Sequence, residues 1–379
     1  MALHIDFGAR IEKIRSEMDR KNLEVLVTTK QGGVHYLLGE FAPWRTAVFV
    51  PQKGELIALT VHIDMDRVKQ GTWIQDVRMW EWALGTPSFQ EMVSTILKEM
   101  SPKGSVGLEF DDLRVNEFDT IRKGLSSVNF VNAADLIEKV MYMKENVEIQ
   151  YLRRAAEIAD YGIYEAFDAL EIGMTETELS GAAEYAMAKA GNEFNWSVTG
   201  GTEVGSGWRT AYWHGWTQPT TRKIIQPNDL VTIDIHPMYN LYLCDQCNNL
   251  MVGRPDAKQQ ELIKVWKEAV HLLIGAIRPG QVGKEVALEA VRYLEKTGYA
   301  EHASPLFGHG LGTTCRMPPT ISVTSEDVLQ PNTTLVAVVN ITQPGIGGVR
   351  IETPVLVTEH GVEMLSKLPI DVLRKDWLD

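Results

Sequence analysis

Only three cysteines occur in 379 residues, too few for the disulfide framework that staples small secreted domains. Cys244, Cys247 and Cys315 are therefore expected as free thiols, as in a reducing compartment. Cationic side chains are also scarce: 37 Lys and Arg stand against 50 Asp and Glu, a formal net charge of −13. A chain of that sign is poorly suited to a nucleic-acid backbone or an anionic membrane surface. No apolar run approaches the ~18 residues of a membrane span. The opening MALHIDFGARIEKIRSEMDRK carries charge early and has no apolar signal core. The expectation is a cytoplasmic protein that binds neither nucleic acid nor membrane.

What is present is an ordinary globular composition, 44% hydrophobic and 23% charged, long enough for two domains. ARIEKIRSEMDRKN and FQEMVSTILKEM repeat apolar residues at helical spacing, while LEVLVTT, TAVFVP and ELIALTV read as strands. That alternation predicts an α/β layer domain over residues 1–142. A long helical stretch from Asn146 to Leu170 opens a second domain, 143–379. There IGMTETELSGAAEYAMAKAG echoes RPGQVGKEVALEAVRYLEKTG, each helix stopping at a glycine, Gly191 or Gly298. Thr175 and Glu178 fit a capping box. The echo predicts a duplicated α+β half-fold with its site between the halves.

The chemistry gathers on a few strands. Asp234 lies in LVTIDIH, with Thr232 and His236 on its own face by the period of two. Asp245 follows the turn-like HPMYNLY, so a hairpin would bring both carboxylates to one centre. His309 sits between glycines in FGHGLG, where backbone can approach an ion closely. Arg350 and Glu352 share a face in GGVRIETPVLV. Two Asp, one His and one Glu suit Mn, Fe, Co or Zn, as one ion or a pair. The lone CxxC of Cys244 and Cys247 straddles Asp245 and reads as packing beside this acidic group. Trp208, Tyr212, Trp213 and Trp216 surround His214 as pocket-lining aromatics.

In order and spacing these segments resemble the pita-bread hydrolases, the family of methionine aminopeptidase, aminopeptidase P, prolidase and creatinase. VHYLLGE is similar to the family's Y-L-x-G segment, and MYMKENVEIQYLRRAAEI to the run that opens its catalytic domain. WHGWTQPTTRKIIQPNDLVTIDIHPMYNLYLCDQ, FGHGLG and QPGIGGVRIETPVLVTE are similar to the site segments, in order. The resemblance implies a creatinase-type α/β N-terminal domain, an α+β pita-bread catalytic domain and a homodimer. It implies metal ligation by Asp234, Asp245, His309 and Glu352, with Gln343 standing where a fifth ligand, usually Glu, is expected. One tightly held divalent ion follows, with a second, weaker one through Gln343 left open. His214 falls on the histidine that faces the scissile group. Trp213, Arg350 and Arg316 become substrate contacts. In dimers of this family the first domain reaches the neighbour's site, which gives Arg45, beside Trp44, the same role.

The departures from that pattern shape the functional expectation. An amide such as Gln343 can offer an oxygen to an ion but cannot take a proton from water, so Glu352 or His236 becomes the candidate base. His236 replaces a glycine, Arg316 stands at the histidine of H-E-x-P, and CDQCNN lacks the arginine of S-D-x-T-R-T. The reading is a metal-dependent hydrolase of a C–N bond in a small molecule or dipeptide-like substrate, not a standard Xaa-Pro peptidase. The alternatives are a metal-independent creatinase-like hydrolase or lyase, and an inactive binding protein of the same fold.

Overall fold

The computed structural model describes residues 4–83, 87–196, 201–212 and 219–375, in two compact units, Met1–Met141 and Tyr142–Asp379.

The first unit is built on one mixed six-stranded sheet. β1 (Leu23–Thr28) pairs antiparallel with β2 (Ala47–Pro51), and β2 with β3 (Ile57–Val61). β4 (Asp76–Trp80) runs parallel to β3, β5 (Ser105–Leu108) parallel to β1, and β6 (Phe130–Asn132) parallel to β5. Six helices accompany the sheet: α1 (Phe7–Arg20), α2 (Gln31–Leu38), α3 (Met65–Gly71), α4 (Phe89–Met100), α5 (Val115–Gly124) and α6 (Leu136–Met141). Phe89, Val93, Ile96 and Leu97 of α4 recur at i, i+4, i+7 and i+8 and pack on Val25, Val27, Phe49 and Leu59. The strands and helices read from the periodicity of this segment form where expected.

The second unit pairs α7 (Asn146–Ala169) with α8 (Glu176–Ala190), and α9 (Ala257–Ala276) with α10 (Gly283–Thr297). Thr175 and Glu178 close the capping box at α8. Gly191 and Gly298 end α8 and α10 in the left-handed region, at φ +100° and +79°. Its strands are β7 (Glu203–Ser206), β8 (Leu230–Ile235), β9 (Met238–Tyr239), β10 (Tyr242–Leu243), β11 (Gln246–Val252), β12 (Leu306–Leu311) and β13 (Cys315–Ser322). β14 (Thr334–Gln343), β15 (Gly347–Thr358), β16 (Gly361–Met364) and β17 (Val372–Lys375) complete the set. The large sheet runs β13-β12-β14-β15-β11-β8-β7, with β16 on β15 and β17 on β11. The pair α7–α8 packs against β7, β8 and β11, and the pair α9–α10 against β13, β14 and β15. This is the duplicated arrangement that the helix echo predicts.

The β14–β15 hairpin divides structure from chemistry. Leu335, Ala337, Val339, Ile341, Val349 and Ile351 pack with Trp266 of α9 and Ala287 and Ala290 of α10 in one core. The Trp266 indole donates to the Val339 carbonyl at 3.1 Å. The opposite face of the hairpin carries Val338, Asn340, Arg350 and Glu352.

Candidate metal centre

Adjacent strands set the polar side chains in rows. Cys247 pairs with Asp234 on β8 and with Glu352 on β15, and Glu352 pairs with Val338 on β14. Cross-strand partners share a face, so this row reads Val338, Glu352, Cys247, Asp234. Asp245, two residues before Cys247, and His236, two after Asp234, begin the next row, to which β12 adds His309 opposite Val336. The small β9–β10 hairpin connects the two carboxylate strands. Its two-residue loop, Asn240 and Leu241, has φ +47° and +71°, the pair of positive φ values that a type I′ turn requires.

The distances bring six sequence candidates into one cluster. His236 Nε2 lies 3.5 Å from Asp234 Oδ1 and 3.4 Å from Asp245 Oδ1. His309 Nε2 lies 3.5 Å from Asp245 Oδ2, and the Cys315 thiol donates to that same oxygen at 2.8 Å. Glu352 shares a candidate ligand group with Asp234 and Cys247. Arg350 lies beside both acids, 3.4 Å from Asp234 Oδ2 and donating to Glu352 Oε1 at 2.5 Å. All of these side chains are buried.

The field inside the cluster is uneven. Burial and the nearby Glu352 push Asp234 well above the usual carboxylate range. Burial acts the same way on Asp245, but the His236 imidazole, His309 and the Cys315 thiol outweigh it and hold that carboxyl below its ordinary value. Asp234 has Arg350 and His236 beside it as well, but burial and the Glu352 charge outweigh them, and there the two aspartates diverge. His236 is raised to about 10: burial disfavours its cation, yet Asp234 and Asp245 together prevail.

Gln343 does not stand where the resemblance implies. Gln343 ends β14 opposite Gly347. Alternation places it with Val339 and Ile341 on the helix-facing side, away from Glu352. The β14 residue that faces Glu352 is Val338, five positions earlier and apolar. Arg350 is buried and ion-paired with both Asp234 and Glu352. Arg45, in the first unit, donates to Asp112 and to Glu117 (2.7 Å) and lies over Phe89, so its charge is balanced locally. Arg316 is exposed, with a left-handed backbone at φ +63°. His214, Trp213 and Trp216 lie outside the described residues. Trp208 and Tyr212 make an exposed edge-on pair, ring centroids 6.0 Å apart.

Two cysteines lie in the cluster, Cys247 beside Asp234 and Glu352 and Cys315 beside Asp245 and His309. Cys247 was within reach of the sequence, since it follows Asp245 by two residues on one strand. Cys315 gave no comparable signal, because only the β12–β13 hairpin brings it to His309.

Residues 150–359 match the model of metallopeptidase family M24, and residues 10–140 match the creatinase/prolidase N-terminal domain. The chain belongs to metallopeptidase family M24. As an M24 protein it is a hydrolase of C–N bonds with the pita-bread catalytic fold and an implied divalent metal cofactor. It is 28% identical to the Xaa-Pro dipeptidase of Pyrococcus furiosus over 364 residues, 96% of this chain and 99% of that one. The Xaa-Pro dipeptidase from Bacillus anthracis superposes with a TM-score of 0.85 at 26% identity, covering 98% of this chain and 100% of its own. The prolidase from Pyrococcus horikoshii OT3 gives 0.84 at 25% identity, over 95% and 99%.

The M24 cluster fits a cation. Both oxygens of Asp234, Oδ1 of Asp245 and Oε2 of Glu352 are buried without a hydrogen bond, a costly state for carboxylates that have no counter-charge. Arg350 supplies that charge at the Asp234–Glu352 end, and the His236 imidazole lies between the two aspartates. The Asp245–His309 end, with its carboxylate, imidazole and thiol, is the part best suited to an ion.

Proposed function

We propose that this M24 enzyme uses one divalent ion to hydrolyse a C–N bond in a small or dipeptide-like substrate, and that it is a poor Xaa-Pro dipeptidase. The observation that carries this reading is Val338, an apolar side chain directly opposite Glu352 where a bridging acid would complete a two-ion site. A second ion would also have to compete with the Arg350 guanidinium, already set against Asp234 and Glu352.

Asp245, His309 and Asp234 are the residues that would hold the ion, with His236 positioning the two aspartates from 3.4 and 3.5 Å. When bound, such an ion polarises a carbonyl oxygen and lowers the pKa of bound water. Glu352 would be the group to accept a proton from the attacking water: Oε1 is fixed by Arg350, while Oε2 has no hydrogen bond. Exposed Arg316 gives the substrate's carboxylate a counter-charge. The homodimer and cytoplasmic setting implied by the resemblance belong to the same proposal. Among the described residues no helix is long and apolar enough to cross a membrane.

The test is a panel of Xaa-Pro dipeptides and small amides offered to the chelated chain reloaded with Mn, Co or Zn. The expected result is ion-dependent turnover of a non-proline amide, with Xaa-Pro substrates at least ~100-fold slower and Glu352→Gln lowering kcat by ~10²–10⁴-fold. Efficient Xaa-Pro cleavage would overturn the selectivity. Full activity after exhaustive chelation would overturn the metal dependence and leave the creatinase-like alternative.

A further inference from the structure

We infer that Cys315 is itself a metal ligand, so that this site selects a thiophilic divalent ion such as zinc or cobalt over manganese. The inference rests on the metal reading above and adds a ligand to it.

The geometry begins with backbone. Gly310, next to His309, has no room for a Cβ: one would lie 2.3 Å from the Pro318 carbonyl oxygen and 2.7 Å from that of Met317. β13 is therefore pressed against β12 beside the imidazole. Pairing between them is irregular, with register shifts between His309 and Gly310 and between Gly310 and Leu311. Arg316 then adopts φ +63°, a conformation that side-chain-bearing residues rarely take. Cys315 is buried and Arg316, the next residue, is exposed.

The inward sulfur arrives at a prepared position. Sγ lies 2.8 Å from Asp245 Oδ2 and 3.9 Å from His309 Nδ1, and His309 Nε2 lies 3.5 Å from the same Asp245 oxygen. One ligand atom from each residue lies within 4.8 Å of the other two. Ligand atoms around a tetrahedral ion are separated by roughly 3.3–3.6 Å when the bonds are ~2.0–2.3 Å, so the sulfur and the Asp245 oxygen, 2.8 Å apart, would part by several tenths of an ångström as the thiol gives up its proton and one imidazole nitrogen takes the ion. The other oxygen of that carboxylate, Asp245 Oδ1, is buried and lies 3.4 Å from His236 Nε2. A site of oxygen and nitrogen donors alone suits manganese, and a thiolate moves the preference toward softer ions. Cys247 differs because its row, with Asp234 and Glu352, already holds the Arg350 guanidinium.

The experiment loads the full-length chain with cobalt or zinc and records X-ray absorption and the near-ultraviolet spectrum. One sulfur scatterer and a thiolate-to-cobalt charge-transfer band are expected in the unaltered chain. Cys315→Ser and the better-packed Cys315→Val should lose both signals, and Cys247→Ser should keep them. Outer-shell partners already change metal affinity by ~10–100-fold, so losing a direct ligand should lower zinc affinity relative to manganese by at least about tenfold. An ion bound without sulfur, or a sulfur signal lost only in Cys247→Ser, would overturn this inference and leave the metal reading standing. Failure to bind any of the ions would overturn both. The unaltered chain's sulfur signal needs no variant, so misfolding of a substitution does not obscure the outcome.

Discussion

Replacing Val338 with glutamate should rebuild the missing donor, and the same replacement at Gln343 should not. Val338 is 4% exposed and faces Glu352 across the β14–β15 ladder. A carboxylate placed there without a counter-ion joins Asp234, Asp245 and Glu352 in a buried cluster. Removing one partner of a buried charge pair costs about 3–5 kcal/mol, and an added unpaired acid should cost a similar amount. For a unit the size of Tyr142–Asp379 each kcal/mol corresponds to ~2–4 °C, so Tm of the chelated variant should fall by roughly 6–20 °C. Adding manganese or zinc at ~1,000 times Kd contributes about 4 kcal/mol and should restore most of the loss. The variant should also bind one more ion per chain than the unaltered protein. Gln343→Glu lies at the hairpin end on the helix-facing side, and a change of about 1 kcal/mol or less with no extra ion is expected. Thermal unfolding and metal content with and without chelator measure both. A second ion gained by Gln343→Glu and not by Val338→Glu would refute the place given to Val338.

Two further predictions concern other parts of the fold. His35 is buried, accepts the Ala42 amide through Nε2 at 3.0 Å, and is lowered to about 4, chiefly by burial. The unfolded imidazole, near 6.5, binds the proton that the folded one refuses, so stability falls as pH drops from 6.5 toward 4, by up to about 3 kcal/mol. His35→Gln should flatten that dependence in urea titrations at pH 7 and pH 5, and an unchanged slope would show that another group carries it. Gly310→Ala should push β13 away from His309, costing about 1–3 kcal/mol and weakening ion binding ~10–100-fold. Gly312→Ala, with its nearest neighbours at 3.3–3.4 Å, serves as the comparison. Equal ion affinity in the two variants by calorimetric titration would refute the role given to the Gly310 contact.

The sequence alone determined what depends on local geometry. The capping box at Thr175 and the glycine stops at Gly191 and Gly298 are set by backbone within a few residues. Side-chain alternation paired Asp234 with His236 and Arg350 with Glu352 on common faces, because that period is fixed within a strand. Tertiary structure alone decided which strands meet, and in what register. Gln343 stands in a segment that matches the family pattern, yet it is an odd number of residues from Val338, and an odd displacement turns a side chain to the other face. Arg45 has the charge for a substrate contact, but its partners Asp112 and Glu117 lie far along the chain and are supplied only by folding. Cys315 reaches Asp245 across 70 residues of sequence. Which distant groups share a site follows from strand register and from the contact at Gly310, and neither can be read from the residues one at a time.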